Sequence, residues 1–561
     1  MEYINLVKIY GALEETTKRL EKTEIISGFI KNVRGDELQH LIYLIEGRVF
    51  PESKEEKIGM SSQLILKVIA RATGNSISDI ERGWRKKGDL GTVAEEFIRE
   101  KKQRTLTTKE LTTQLVYNNI KKLAELQGAG AVDRKVSLVA ELLSNAKPEE
   151  SRFIVRTVLE ELRIGVSEGI IRDSIAKAFD IPAEEIEKSF NLLVDYGKVA
   201  VIAKKGRAHL KKIELEPGRP TKVMLAILVN DVNEGFEYLG KPLQEEIKLD
   251  GFRVIMHNDE KNISLFTRRM ENVTNQFKEL IPIIKNNIKA KSFIIDTELV
   301  GYDPKTRRYL PFQSISQRIK RKYDIEMMSK KFPVEINAFD ILYYNGENTA
   351  GKPLKERRAL LEKIIHPKRY SIVLTKKLVT GDEKDAKKFF KDSIKEGYEG
   401  VILKNLNAEY KPGRYVNYMC KLKQALEPLD LVIVGAQWGE GKRSSWLSSF
   451  TIACKKGDKF LEIGKVGTGI KEKSDGISFK DLTKMLKPSI TKTDGKNVAV
   501  RPKIIIEVGY EEIQKSPTYE SGFALRFPRL LRLRPDKPLS EISSIDYIER
   551  IYKHQRGKNK I

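Results

Sequence analysis

The stretch Glu246-Ile247-Lys248-Leu249-Asp250-Gly251-Phe252-Arg253 carries the most chemistry in this chain. Asp250-Gly251 between two short β-prone runs is a hairpin signal, which would hold Lys248 at a strand end and return Arg253 beside it. A lysine that is partly desolvated and next to a second cation loses proton affinity, so its neutral amine becomes a usable nucleophile. Taken alone, such a pattern is more often a solvated turn with ordinary surface charges. It does not stand alone. Downstream come Phe266-Thr267-Arg268-Arg269, Phe293-Ile294-Ile295-Asp296-Thr297-Glu298 and Asn337-Ala338-Phe339-Asp340, then Glu399-Gly400-Val401-Ile402-Leu403-Lys404 and Met419-Cys420-Lys421-Leu422-Lys423. Strand side chains alternate, so Asp296 and Glu298 share a face, as do Lys421 and Lys423.

Positioning these residues takes more than one kind of element. Residues 1–216 read as helical: apolar positions recur at helical spacing over 37–46, 61–73, 107–127 and 136–143, and a further helix is expected over 148–163, closed by Gly165. No constant period makes these a repeat array. Glu216-Pro217-Gly218-Arg219-Pro220 cannot continue a helix and marks a domain boundary. Beyond it strands are expected over 245–248, 253–257, 264–267, 292–302, 334–344 and 400–404, with helices over 273–289, 355–365 and 383–396, an α/β or α+β pattern. Past 427 short strands at 431–438, 449–455, 460–466 and 498–510 suggest a small barrel, and the tail 554–561 is cationic and expected to fray.

Composition narrows the partners. The 561 residues include 103 Lys+Arg against 78 Asp+Glu, a formal charge of +25, which predicts attraction to a polyanion, nucleic acid before acidic membrane. Two cysteines exclude a disulfide framework or an intrachain four-cysteine zinc site, and five scattered histidines argue against a histidine metal centre. No apolar run reaches the roughly 18–20 residues of a membrane span. The opening MEYINLVKIY lacks the pattern of a secretory signal, so a soluble intracellular protein is expected.

The ordered series, with Lys248 first, resembles the covalent nucleotidyltransferase superfamily, and more closely the ATP-dependent DNA ligases of the archaeal and eukaryotic replicative type. The likeness runs along the chain. Arg163-Ile164-Gly165 lies in a segment similar to that family's helical DNA-binding domain, and 430–450 (DLVIVGAQWGEGKRSSWLSSF) is similar to the opening of its OB domain. Leu525-Arg526-Phe527-Pro528-Arg529 with Arg534-Pro535-Asp536-Lys537 looks like its last motif. The resemblance implies an all-α DNA-binding domain (1–216), an α+β adenylation domain (217–426) and a β-barrel OB-fold domain (427–561).

It also implies a three-step reaction. Lys248 takes AMP from ATP and releases pyrophosphate, AMP passes to the 5′-phosphate of a nick, and the 3′-hydroxyl displaces it, each step an in-line displacement governed by positioning and charge. By the same resemblance Glu246 sits near the adenine amino group, Arg253 and Arg268 contact phosphates, and Glu298 binds ribose and helps order metal. Phe339 stacks on adenine, Glu399 is the second metal-associated carboxylate, and Lys404, Lys421 and Lys423 line the phosphates. Arg414 matches the arginine ahead of that lysine pair, although Tyr415 stands where a second basic residue is usual and Cys420 replaces an apolar or aromatic one. Arg526, Arg529 and Lys537 belong to the OB domain, which closes on ATP and then turns to DNA. The implied cofactors are ATP and Mg²⁺. The implied partner is nicked duplex DNA, with a sliding clamp as a candidate, for a cytoplasmic monomer in replication, repair and recombination. The alternatives are an RNA ligase or RNA-capping guanylyltransferase, which the large helical domain disfavours, and a non-catalytic nucleic-acid binder, which the intact Lys248 disfavours.

Overall fold

The computed structural model describes residues 1–54, 56–101, 109–320, 323–413, 418–424, 426–439, 445–471 and 477–555. Within it the chain forms two compact units that alternate along the sequence: Met1–Ala226, Asp250–Thr375 and Asn405–Tyr418 in the first, Ile227–Leu249, Lys376–Lys404 and Met419–Ile561 in the second.

The first unit opens with helices from Tyr3–Glu15 to Arg207–Leu210. Local signals set their ends. Ser61 caps Ser62–Thr73 and Gly74 closes it in the left-handed region, while Asp89 caps Leu90–Arg99. Helix Pro148–Val158 stops short of the expected 163, because Glu160 and Arg163 turn to positive φ ahead of Gly165. Buried Arg156 is neutralised by Asp89 (2.6 Å) and Glu14 (2.5 Å), two carboxylates that offset the cost of burying its charge. The helix expected over 107–127 is Thr113–Lys122, its first residues lying outside those described.

The same unit carries a six-stranded sheet in the order Ile263–Thr267, Phe252–Asn258, Phe293–Gly301, Val334–Tyr344, Glu347–Asn348, with Ile372–Leu374 parallel to Val334–Tyr344. Val254, Met256, Ile295, Leu299, Ile336 and Ala338 fill its core, which turns Arg253, Asp296 and Glu298 to the opposite face. The helix expected over 273–289 is split into a 3₁₀ turn, Thr274–Phe277, and a helix, Leu280–Asn287. Pro282 explains the break: it has no N–H for the preceding turn and is tolerated only near a helix start.

The second unit holds a five-stranded sheet in the order Ile227–Val229, Met419–Lys423, Gly400–Asn405, Leu243–Lys248, Lys377–Thr380. Helices Val232–Leu239 and Glu383–Lys395 cover one face through Leu243, Val401, Leu403, Cys420 and Leu422. Alternation presents Glu246, Lys248, Lys404, Lys421 and Lys423 on the other. Here the hairpin expectation fails. Leu243–Lys248 pairs with Lys377–Thr380 and Gly400–Asn405, and Phe252–Asn258 pairs in the other sheet, so Asp250-Gly251 is a crossing and not a hairpin turn. A side chain at Gly251 would collide with the Leu299 carbonyl oxygen, which is why the crossing needs glycine.

Beyond 428 the second unit forms an OB-like seven-stranded sheet. Its core includes Phe450 and Phe479, stacked at 6.5 Å, with Ser478 and Asp481 forming a capping box under the helix Phe479–Leu486. The single strand expected over 498–510 is two, Asn497–Val500 and Ile505–Gly509, which pair in succession with Leu429–Trp438. Pro502 between them cannot donate to a ladder. No described helix is long and apolar enough to cross a membrane.

Candidate active site

Each unit gathers one set of the candidate residues. In the second unit Lys248 ends its strand, and its Nζ donates to Glu399 Oε2. The backbone ties the two together, since Glu399 N–H donates to Lys248 O at 3.0 Å. Lys423 Nζ reaches the other Glu399 oxygen at 2.9 Å and Glu511 Oε2 at 3.0 Å. Burial alone would raise the Glu399 carboxyl, whose side chain is 9% exposed, but the ammonium groups of Lys248 and Lys423 outweigh it and hold its pKa at about 2. Burial likewise opposes the charge on Lys423, and its two carboxylates outweigh that and raise its pKa. Within this unit Lys248 is thus paired with a carboxylate that it shares with a second cation, Lys423.

Next to this cluster Lys404 Nζ donates to Glu246 Oε2 at 2.7 Å, and Gln244 Nε2 donates to Glu246 Oε1 at 2.6 Å. Glu246 and Lys404 are both buried, so the two charges balance each other out of water. Lys421 lies on the same strand face and is partly exposed. In the OB-like part Arg526 Nη1 is 3.5 Å from Glu512, Arg529 is exposed, and Lys537 pairs with Asp430 at 2.6 Å.

In the first unit Arg253 binds Asp296 bidentately, Nε donating to Oδ1 at 2.9 Å and Nη2 to Oδ2, while Nη1 donates to Met224 O at 2.8 Å. Its guanidinium lies 5.5 Å from the centre of the Phe339 ring. Phe339 is partly exposed and outside the sheet core that takes its neighbour Ala338. Glu298 stands opposite Arg253 in the strand register and is partly exposed. Arg268 follows the strand Ile263–Thr267 on an exposed turn. Partial desolvation, then the charges of Arg253 and Arg269, lower its pKa, the sign of a cationic surface suited to an anion. Arg414 and the tail 556–561 lie outside the described residues.

Sequence reasoning did not assign Gln244, Tyr410, Glu511 or Asp430. Asp296 was visible by its spacing from Glu298. Tyr410, whose hydroxyl donates to Asp296 Oδ2 at 2.7 Å, carried no local signal.

Comparison with known proteins agrees along the chain. A family profile described as DNA ligase N terminus matches residues 2–176, one for the ATP dependent DNA ligase domain matches 223–423, and one for the ATP dependent DNA ligase C terminal region matches 443–537. The chain is 48% identical over 563 residues to a DNA ligase of Nanoarchaeum equitans, spanning 99% of both chains. It is 40% identical over 558 residues to one of Thermococcus onnurineus, spanning 99% of this chain and 98% of that one. A solved structure named Pmar-Lig_PreS3 aligns over 94% of this chain and 99% of its own with a TM-score of 0.59, at 18% identity a likeness of fold. A helical part, an adenylating part and an OB-like part in this order make up the architecture of a DNA ligase. The chain belongs to the ATP-dependent DNA ligases, in their archaeal form, and its activity is ATP-dependent DNA ligation. The RNA-directed and non-catalytic alternatives give way to it.

Proposed function

We propose that this chain seals 5′-phosphate/3′-hydroxyl nicks in duplex DNA through a lysyl-AMP formed on Lys248. The observation that carries this reading is the pairing of Lys248 with Glu399 and of Glu399 with Lys423 at one face of the five-stranded sheet. Lys248 Nζ must leave Glu399 and lose a proton before it attacks. Its bond to the α-phosphorus then forms as the bond to the bridging oxygen breaks, and pyrophosphate leaves with that electron pair. Lys404, Lys421 and Lys423 compensate phosphate charge, and Glu246, oriented by Gln244 and Lys404, reads the adenine amino group. Phe339 stacks on the base, Arg253 and Arg268 hold phosphates, and Arg414 joins them. Arg526, Arg529 and Lys537 serve closure and DNA contact from the OB-like part.

Glu298 and Glu399 would hold Mg²⁺. A carboxylate ionised down to about pH 2 is a hard oxygen donor, and this cation takes one or two such groups together with phosphate oxygens. When bound it supplies neutralisation of phosphate charge. The domain limits 1–216, 217–426 and 427–561, a monomeric state, a cytoplasmic location and a sliding clamp as further partner belong to the same proposal.

The decisive experiment incubates the protein with Mg²⁺ and α-labelled ATP or GTP on a denaturing gel. Label retained with ATP and lost in Lys248→Ala supports the reading, labelling by GTP alone points to capping chemistry, and no label overturns it. Affinity for nicked duplex should fall steeply with salt, with a log–log slope of about −0.9 per phosphate contacted.

A further inference from the structure

Arg253 is held by residues from three separate stretches of the first unit. The Tyr410 hydroxyl is fully used: it donates to Asp296 Oδ2 at 2.7 Å and accepts from Arg253 Nη2 and from Met224 N–H, each at 3.1 Å. Met224 returns the link, its carbonyl accepting from Arg253 Nη1 at 2.8 Å. Tyr410 is buried, and its backbone is fixed by a 2.8 Å bond from its N–H to Ala350 O. A ring of hydrogen bonds thus joins Arg253, Asp296, Tyr410 and the linker residue Met224.

That ring reaches the helical part through Asn191 and Lys222. Asn191, buried on the helix Ala183–Leu193, donates from Nδ2 to Pro412 O at 2.9 Å. Its backbone carbonyl accepts from the Thr221 hydroxyl at 2.9 Å and from Lys222 N–H at 3.2 Å. Between these, Gly413 N–H donates to Val223 O at 3.1 Å. Gly413 has φ +97°, and a Cβ there would stand 2.7 Å from Asn191 Nδ2, so the approach of Asn191 to this segment requires glycine. Lys222 adds a hold of its own, 2.9 Å from Glu168 and 4.4 Å from the Phe190 ring centre.

We propose that Tyr410 and Asn191 are positioning residues through which the helix Ala183–Leu193 and the linker 221–224 fix the Arg253 guanidinium at the nucleotide. Asn191 sets the linker and the segment 410–413 against each other, and Tyr410 and Met224 convert that register into the orientation of Arg253. The proposal rests on the assignment of Arg253 to nucleotide phosphate.

The test measures self-adenylation of the full chain over a range of ATP concentrations. Tyr410→Phe keeps the ring and removes all three bonds of the hydroxyl, two of them charge-assisted, so KM for ATP should rise about tenfold or more while the rate at saturating ATP stays within about twofold. Asn191→Ala, which removes only the side-chain bond to Pro412 and lies one hydrogen bond further away, should move KM the same way by about threefold, and the double variant should fall short of the product of the two. Arg253→Lys is the reference. If it raises KM and Tyr410→Phe does not, the positioning role is overturned while the role of Arg253 stands. If Arg253→Lys leaves KM unchanged, the assignment of Arg253 is what fails. Independent, multiplicative effects, or a loss of saturated rate that tracks a loss of melting temperature, would reduce both residues to structural ones. Should Tyr410→Phe fail to fold, Asn191→Ala with Gly413→Ala carries the same test.

Discussion

The lysine cluster of one unit and the arginine cluster of the other are both cations on a carboxylate, yet they are built to different standards of rigidity. Asp296 is fully buried, and a planar guanidinium grips both of its oxygens with the Tyr410 hydroxyl added to one. Glu399 is shared by two ammonium groups, each a point charge on a flexible four-carbon stem. A bidentate, fully satisfied pair is preorganised and costly to disturb, whereas a shared carboxylate can exchange one partner and keep the other. The difference fits the two roles proposed for Arg253 and Lys248. A residue that binds phosphate works best when fixed, and a nucleophile must be released from its partner to react.

Replacing the shared carboxylate should have the largest effect. Glu399→Gln is expected to lower the rate of self-adenylation about a hundredfold or more at saturating ATP, through loss of the charge that orders the cation and the two lysines. A rate within threefold of wild type would remove Glu399 from the reaction. The arginine cluster should fail differently. Asp296→Asn leaves Arg253 half-paired in a buried site and should cost about 3 kcal/mol of stability, read as a fall in melting temperature. An unchanged melting temperature would mean that this pair is no more rigid than the lysine one.

Two carboxylates of the second unit should titrate with opposite sign. Glu399 is depressed from its ordinary 4.5 to about 2, so its stabilisation is present above pH 4.5 and is lost as pH falls towards 2. Glu245 is fully buried, its two oxygens have no hydrogen-bond partner among the described residues, and burial raises its pKa to about 8. Stability linked to it is therefore full below pH 4.5 and is lost as pH rises through 8. Glu245→Gln should gain stability relative to wild type over that window, on the order of 2 kcal/mol, measured by denaturant unfolding at pH 5 and 9. A gain that does not grow with pH would show that Glu245 does not titrate in the fold. The smallest effect is expected from Glu511→Gln, which releases one partner of Lys423 and should change the self-adenylation rate by less than about threefold.

The secondary structure was legible wherever a short-range rule acts alone. Ser61 and Gly74 bound a helix by capping, and alternation along Phe293–Gly301 and Met419–Lys423 turned Asp296 with Glu298, and Lys421 with Lys423, to common faces. Misreadings fell where a proline or a sheet assignment intervened. Pro282 and Pro502 each divided an expected element, and Asp250-Gly251, a good hairpin signal, became a crossing because both edges of the lysine strand were already taken.

The amino-acid sequence carries the order of the motifs and, through their resemblance to the ATP-dependent DNA ligases, the chemistry and most of the candidate residues, while residue type and period-two spacing, being local, place only Asp296 with Glu298 and Lys421 with Lys423. Only the tertiary structure decided which cation meets which carboxylate. Lys248 and Glu399 are 151 positions apart, Glu246 and Lys404 158, and Tyr410 and Asp296 114. Such pairings are settled by strand order and by the desolvation cost of leaving a buried charge unpaired, and neither is written in any local pattern.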